Sequence, residues 1–199
     1  MTQTRVCWGA AVAACGVLAS ATVALGDVVS IAPIKDNTLY ESPTGSLSNG
    51  AGQHFFAGMT AVSEIRRGVI AFDLAAAIPA GALVTRVDLT LSMSRTLLLG
   101  LEPVSLHRLL ADWGEGTSNA ALEEGGGAPA TPGDATWIHR FFDAVFWAGP
   151  GAAGDFVTTP SATVEVGAVG VYTFQSTAGM VADAQGWLDN PATNLGWIL

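Results

Sequence analysis

Few residues in this 199-residue chain could carry chemistry, and their spacing excludes more than it offers. The imidazoles are His54, His107 and His139, and none stands in a His-x-His or His-Glu-x-x-His spacing that would turn two ring nitrogens toward one metal ion. His107 falls inside a strand pattern and reads as a packed or outward side chain. A Gly-x-Ser-x-Gly nucleophile elbow and a phosphate-cradling P-loop are both absent. Gly149-Pro150-Gly151-Ala152-Ala153-Gly154 has the letters of a dinucleotide-binding turn, but no helix pattern follows it and no βαβ unit surrounds it, so it reads as a Gly-rich loop.

Acids and aromatics are what remain. Asp112, Glu115, Asp134 and Asp155 lie near loops bounded by aromatic residues, and two carboxylates roughly 5 to 10 Å apart across a groove would suffice for glycoside hydrolysis. Acids in Gly-rich loops more commonly shape turns or ligate calcium through scattered oxygens, although no EF-hand loop is present. Trp113 and Trp147 each border an irregular loop and read as candidates for stacking on the apolar face of a sugar, with Asp112 and Glu115 as neighbouring hydrogen-bonding groups. Trp137, Trp187 and Trp197 fall within periodic apolar segments and are expected in the core.

The elements that position these residues follow from a dominant period of two. Over Val84 to Ser94, Val87, Leu89, Leu91 and Met93 alternate with Arg86, Asp88, Thr90 and Ser92, the pattern of a half-buried antiparallel strand. Further strands are expected at Val28 to Ile34, Asn37 to Tyr40, His54 to Ala57, Gly68 to Asp73, Val104 to Leu109, Thr136 to Phe141, Ala162 to Val166 and Val171 to Phe174. Turn signals such as Ser48-Asn49-Gly50 and Ile78-Pro79-Ala80-Gly81 separate them. One amphipathic helix is expected over Ser176 to Asn190, stopped by Pro191 and capping one end of the strands. The fold class is therefore all-β, an antiparallel β-sandwich or jelly roll with one short capping helix. Gly114 to Gly133 and Ala148 to Pro160 have no periodicity, and loops of this length are commonly functional or mobile. Gly196-Trp197-Ile198-Leu199 reads as a strand entering a core, so the domain is expected to lack its last strands.

Charge narrows the partners. With 17 acids against 8 Lys and Arg and a net charge of −9, the chain lacks the clustered bases that neutralise a phosphate backbone, so nucleic acid is not an expected partner. Residues 1–26 have a single base, Arg5, then the uncharged run Val6 to Leu25 and small-residue cleavage sites after Ala24 or Gly26. That is the layout of a secretory signal peptide. Anchoring as a membrane span and lipidation at Cys15 are the competing readings. Cleavage removes Arg5, Cys7 and Cys15, so the domain at 27–199 would fold in an oxidising compartment without a disulfide, be secreted or held at the cell surface, and touch no membrane.

The order of segments resembles the DNRLRE domain of bacterial secreted and surface proteins. The resemblance rests on Asp36-Asn37-Thr38-Leu39-Tyr40-Glu41, Arg67-Gly68-Val69-Ile70-Ala71-Phe72-Asp73-Leu74 and Ile78-Pro79-Ala80-Gly81-Ala82. It continues through Leu106-His107-Arg108-Leu109-Leu110-Ala111-Asp112-Trp113-Gly114-Glu115-Gly116, Gly133-Asp134-Ala135-Thr136-Trp137 and Trp187-Leu188-Asp189-Asn190-Pro191 to Asn194-Leu195-Gly196-Trp197. It implies a jelly roll related to carbohydrate-binding modules and a non-catalytic role. The family pattern continues beyond Gly196-Trp197 into an acidic, Arg-containing motif and a final strand, which agrees with an incomplete end. The leading expectation is a module that binds polysaccharide through Trp113, Trp147, Asp112 and Glu115. The alternatives are a structural or adhesive surface domain, with calcium as a possible stabilising ion, and a polysaccharide-degrading enzyme using Asp112, Glu115, Asp134 and Asp155.

Overall fold

The structure, a computed structural model, describes residues 26–97 and 100–199. Apart from Gly26, the expected export segment, with Cys7, Cys15 and the cleavage site after Ala24, lies outside the described residues. Among the described residues no helix is long and apolar enough to cross a membrane.

The strands are β1 (Pro33–Tyr40), β2 (Leu47–Ser48), β3 (Gly58–Met59), β4 (Ile65–Phe72), β5 (Leu89–Met93), β6 (Glu102–Arg108), β7 (Ala128–Pro129), β8 (His139–Phe141), β9 (Val145–Phe146), β10 (Ala162–Val166), β11 (Gly170–Phe174) and β12 (Trp197–Ile198). A single helical turn, α1 (Leu74–Ala77), follows β4, and α2 (Ala178–Asp189) is the one long helix among the described residues. Every pairing is antiparallel. The central sheet runs β1-β4-β12-β6-β10, with β3 also paired to β4, and β11-β5 forms a second sheet. The fold is all-β and antiparallel, as the period of two requires. A jelly roll sets two broad sheets face to face. Here the facing sheet has two strands and α2 takes the rest of its area, so the double Greek key is not seen among the described residues.

Alternation along β4 divides the core in two. Ile70 and Phe72 face one side, where they meet Leu106, Ala162, Trp197, Leu89 and Phe174 together with Met180, Ala184 and Trp187 of α2. Val69 and Ala71 face the other side and pack with Leu39, Ile198, Leu109, Trp113, Trp137 and Trp147. The second face is covered by the chain from Leu109 to Phe156, which is mostly irregular and contains the short strand β7 and the β8–β9 hairpin. The two aperiodic segments are therefore part of a packed layer, pinned by bonds such as Ala135 N to Gly114 O at 2.7 Å and Gly151 N to Trp137 O at 2.6 Å.

Three strand expectations fail, two of them because the backbone donors find other acceptors. Residues 84–88 run extended without a ladder because Val84 N donates to Gln185 Oε1 at 2.8 Å and Val87 N to Ser176 Oγ at 3.0 Å. Val84 and Val87 still pack on the core, so the periodicity was real and its partner is the helix end of the chain. Residues 54–57 likewise give His54 N to Glu124 Oε2 and Phe56 N to Thr38 Oγ1. Of the expected Val28 to Ile34 strand only Pro33 and Ile34 are in β1, and residues 28–30 are exposed.

The helix keeps its expected extent. Thr177 caps it by accepting from Met180 N at 3.0 Å, and Pro191 follows its end. The last strand, β12, sits in the middle of the sheet, with Trp197 opposite Ile70 on one side and Arg108 on the other. Gly196 makes that entry possible: its φ is +79°, and a Cβ there would stand 2.1 Å from Ile70 O. Asp183 of α2 then ties three elements together by accepting from Trp197 Nε1 at 2.9 Å and Ser161 Oγ at 2.5 Å and pairing with Arg108 Nε at 3.2 Å.

Replacing Asp183 by Ala should orphan the buried Trp197 N–H and leave Arg108 unpaired. The expected loss is about 2–4 kcal/mol of unfolding free energy in urea, with a red-shifted tryptophan emission. A loss below about 0.5 kcal/mol would show that the carboxylate does not hold α2 to the sheet.

Candidate functional site

Packing of the irregular layer on the sheet decides which aromatics meet solvent. Trp113 is 1% exposed, donates its indole N–H to Leu195 O at 2.9 Å and is covered by Lys35, whose Nζ stands 4.3 Å from the ring centroid. Trp147 is 5% exposed and donates to Thr136 O at 2.9 Å. Neither ring offers a face to a sugar, which corrects their assignment as stacking residues. The aperiodic loops beside them are the second cover of the sheet, so an aromatic bordering such a loop is a core residue here.

The residue before Trp147 points the other way. Phe146 is 64% exposed, the one Phe, Tyr or Trp among the described residues in the exposed class. It lies on the β8–β9 hairpin opposite His139, whose imidazole backs its ring at a centroid separation of 4.6 Å and an interplanar angle of 31°. Phe142 packs edge-on against the same imidazole at 5.3 Å, and His139 is itself held by Thr136 Oγ1 at 3.1 Å from Nδ1. Arg140 of β8 donates through Nε to Phe146 O and through Nη1 to Asp112 O, each at 3.3 Å. The Asp112 carboxylate, 59% exposed, accepts from Lys35 Nζ at 3.0 Å and from Trp113 N at 2.8 Å. Hydrogen bonds thus run in series from the Phe146 backbone through Arg140 and Asp112 to Lys35, and this linked set is the candidate surface. Of the residues picked from the sequence, Asp112 belongs to it. Phe146 shares a two-residue strand with Val145, which is exposed as well, so no alternation in the sequence marked it.

The other acids hold loops. Asp134 is fully buried and accepts from Thr117 N, Ser118 N, Thr131 N and Thr131 Oγ1 at 2.6 to 3.3 Å. Its approach to residue 116 requires glycine, since Gly116 has φ +75° and a Cβ there would lie 1.5 Å from Asp134 Oδ1. Asp155 accepts from Ala148 N and Glu115 from Asp36 N. Among the described residues no three His, Cys, Asp or Glu side chains converge as a metal cage would require. His107 is half-buried against Phe156, its Nδ1 2.9 Å from Val157 O, and His54 contributes its backbone N–H to Glu124.

A buried polar network supports this surface layer, and sequence reasoning missed it. Asn37 accepts through Oδ1 from Thr38 N, Ser48 Oγ and Asn49 N, and donates to Glu115 O at 2.8 Å. Asn49 accepts from Ala120 N and donates to Glu124 Oε2. Glu124, 7% exposed, also accepts from Gln53 N at 3.0 Å and His54 N at 2.8 Å. Burial pushes its carboxyl up, but the hydrogen bonds from Gln53, Asn49 and His54, with the charge of His54, outweigh it and hold the group below its ordinary value of 4.5. Asp36 moves the other way, raised by burial and then by the charges of Glu115 and Glu124. Burial likewise pushes the Tyr40 hydroxyl up to about 12, and it donates to Glu124 O.

The signs of these shifts give opposite stability effects. Glu124 is more acidic in the folded chain, so its contribution is complete above about pH 4.5 and is lost as pH falls through its lowered folded value. Glu124→Gln should cost about 1–3 kcal/mol at pH 7 and reduce the loss of melting temperature below pH 4.5; an unchanged acid profile would exclude the carboxylate as the anchor. Asp36 binds its proton more readily when folded, so Asp36→Asn should raise the melting temperature at pH 7. In contrast, Trp113→Ala and Trp147→Ala should each cost roughly 3–5 kcal/mol in chemical denaturation, as core residues do.

No protein-family model matches this chain, and neither a curated protein nor a solved structure similar to it was found.

Proposed function

We propose that the chain is a secreted or cell-surface, non-catalytic β-sandwich module that binds polysaccharide, and that the Phe146 surface is its contact. The observation that carries this reading is the exposed Phe146 ring, stiffened from behind by His139 and flanked by Arg140 and Asp112. A sugar offers C–H bonds on one face and hydroxyls at its rim. An aromatic ring takes the first, and the guanidinium and carboxylate take the second. The groups are pre-positioned by a hairpin packed on the core, so little ordering is needed on binding. The N-terminal export pattern and the resemblance to DNRLRE domains support the same reading.

A second reading, a structural or adhesive spacer with calcium as a possible stabilising ion, draws support from the use of Trp113, Trp137 and Trp147 as packing rather than display. Affinity electrophoresis through gels containing neutral and acidic polysaccharides separates the two. The sugar reading expects retardation by at least one glycan and roughly tenfold weaker binding for Phe146→Ala, with an unchanged far-ultraviolet spectrum. Arg140→Ala should weaken binding less. Retention that survives Phe146→Ala would move the contact elsewhere. No retention on any gel, together with a melting temperature raised by calcium, would leave the spacer.

A further inference from the structure

A second feature, sharing no residue with the Phe146 surface, lies where the chain after β5 meets the loop before β7. An open groove of about 460 Å³ runs between Phe56 and residues Ala121 to Gly126, with Arg95 and Glu123 at its rim. Leu122 is one of its lining residues, 99% exposed and in the left-handed region at φ +59°. A leucine is unfavourable in both respects, since glycine relieves the backbone and a polar side chain would suit the solvent.

The loop is held in this form from beneath. Glu124, also at φ +59°, anchors it through the carboxylate bonds from Asn49, Gln53 N and His54 N, and its carbonyl accepts from Tyr40 Oη at 2.8 Å. A buried carboxylate and two left-handed residues thus keep an apolar knob extended next to an aromatic-floored groove whose opposite wall, Gly125 and Gly126, has no side chain.

We propose that knob and groove are the two halves of a two-fold contact with a second copy of this chain, Leu122 of each copy entering the groove of the other. Adjacency of knob and hole on one surface is what an isologous interface needs, because each copy must present both. The rim meets the same condition in charge. Arg95 and Glu123 pair with each other, yet their side chains are 58% and 75% exposed, so a two-fold axis can set Arg95 of each copy against Glu123 of the partner subunit. This matters for a chain of net charge −9, whose copies repel unless the faces that meet are locally balanced.

Sedimentation velocity of the full chain over a micromolar to millimolar series tests the contact. A reversible monomer–dimer equilibrium is expected. Leu122→Gly should weaken it about tenfold or more while the melting temperature holds or rises, since the substitution removes the knob and relieves the backbone. Arg95→Glu and Glu123→Arg should each weaken it, and the double exchange Arg95→Glu with Glu123→Arg should restore it. Phe146→Ala should leave it unchanged, so loss of sugar binding and loss of self-association are read separately. A chain monomeric throughout the series, or a dimer indifferent to Leu122→Gly and to the charge exchange, overturns the proposal.

Discussion

A layer of irregular chain buried against a sheet has no ladder to receive its amides, and every unpaired group in it would cost about 1–3 kcal/mol. In this molecule the stretch from Leu109 to Phe156 is largely such a layer, broken by the short strand β7 and the β8–β9 hairpin, and elsewhere in it side-chain oxygens take the place of a ladder. Asp134 accepts four donors from the turn around it. Asn37, Asn49 and Glu124 link β1, the β2 turn and the loop before β7 through carboxamide and carboxylate bonds. The packing of Trp113, Trp137 and Trp147 on the sheet depends on that satisfaction, as does the placement of the β8–β9 hairpin.

The same constraint determines what is left for a surface. Rings bordering the loops are drawn inward, and their indole N–H groups find backbone carbonyls. Among the apolar residues of this layer that do reach solvent are Phe146, on the short strand β9, and Leu122, which has a left-handed backbone. The first is backed by an imidazole and flanked by polar groups. The second stands by an open groove with charges of both signs. They differ in chemistry, one suited to a hydroxylated ligand and the other to an apolar, self-complementary contact.

Much of the fold was legible. The strands β4, β6, β10 and β11 and the helix α2 lie within a few residues of where alternation and capping place them. The failures at 54–57 and 84–88 share a cause that periodicity cannot express: an extended, half-buried segment has the same pattern whether its amides meet a strand or the side chains of Glu124, Thr38, Gln185 and Ser176. The candidate site was half legible. Asp112 was identified, Trp147 was one residue from the exposed ring, and Arg140 and the Asn37–Asn49–Glu124 network left no local mark.

The amino-acid sequence alone determined the class of fold, the position of the helix and the absence of clustered bases, because these depend on residue type and spacing within one segment. Only the tertiary structure decided that the loops are a second cover for the sheet, that Trp113 and Trp147 are core while Phe146 is surface, and that β12 is central in the sheet. Each of those outcomes depends on which distant segment accepts a given backbone donor, and residues such as Asn37 and Ala135, or Arg140 and Asp112, meet only after the chain has folded.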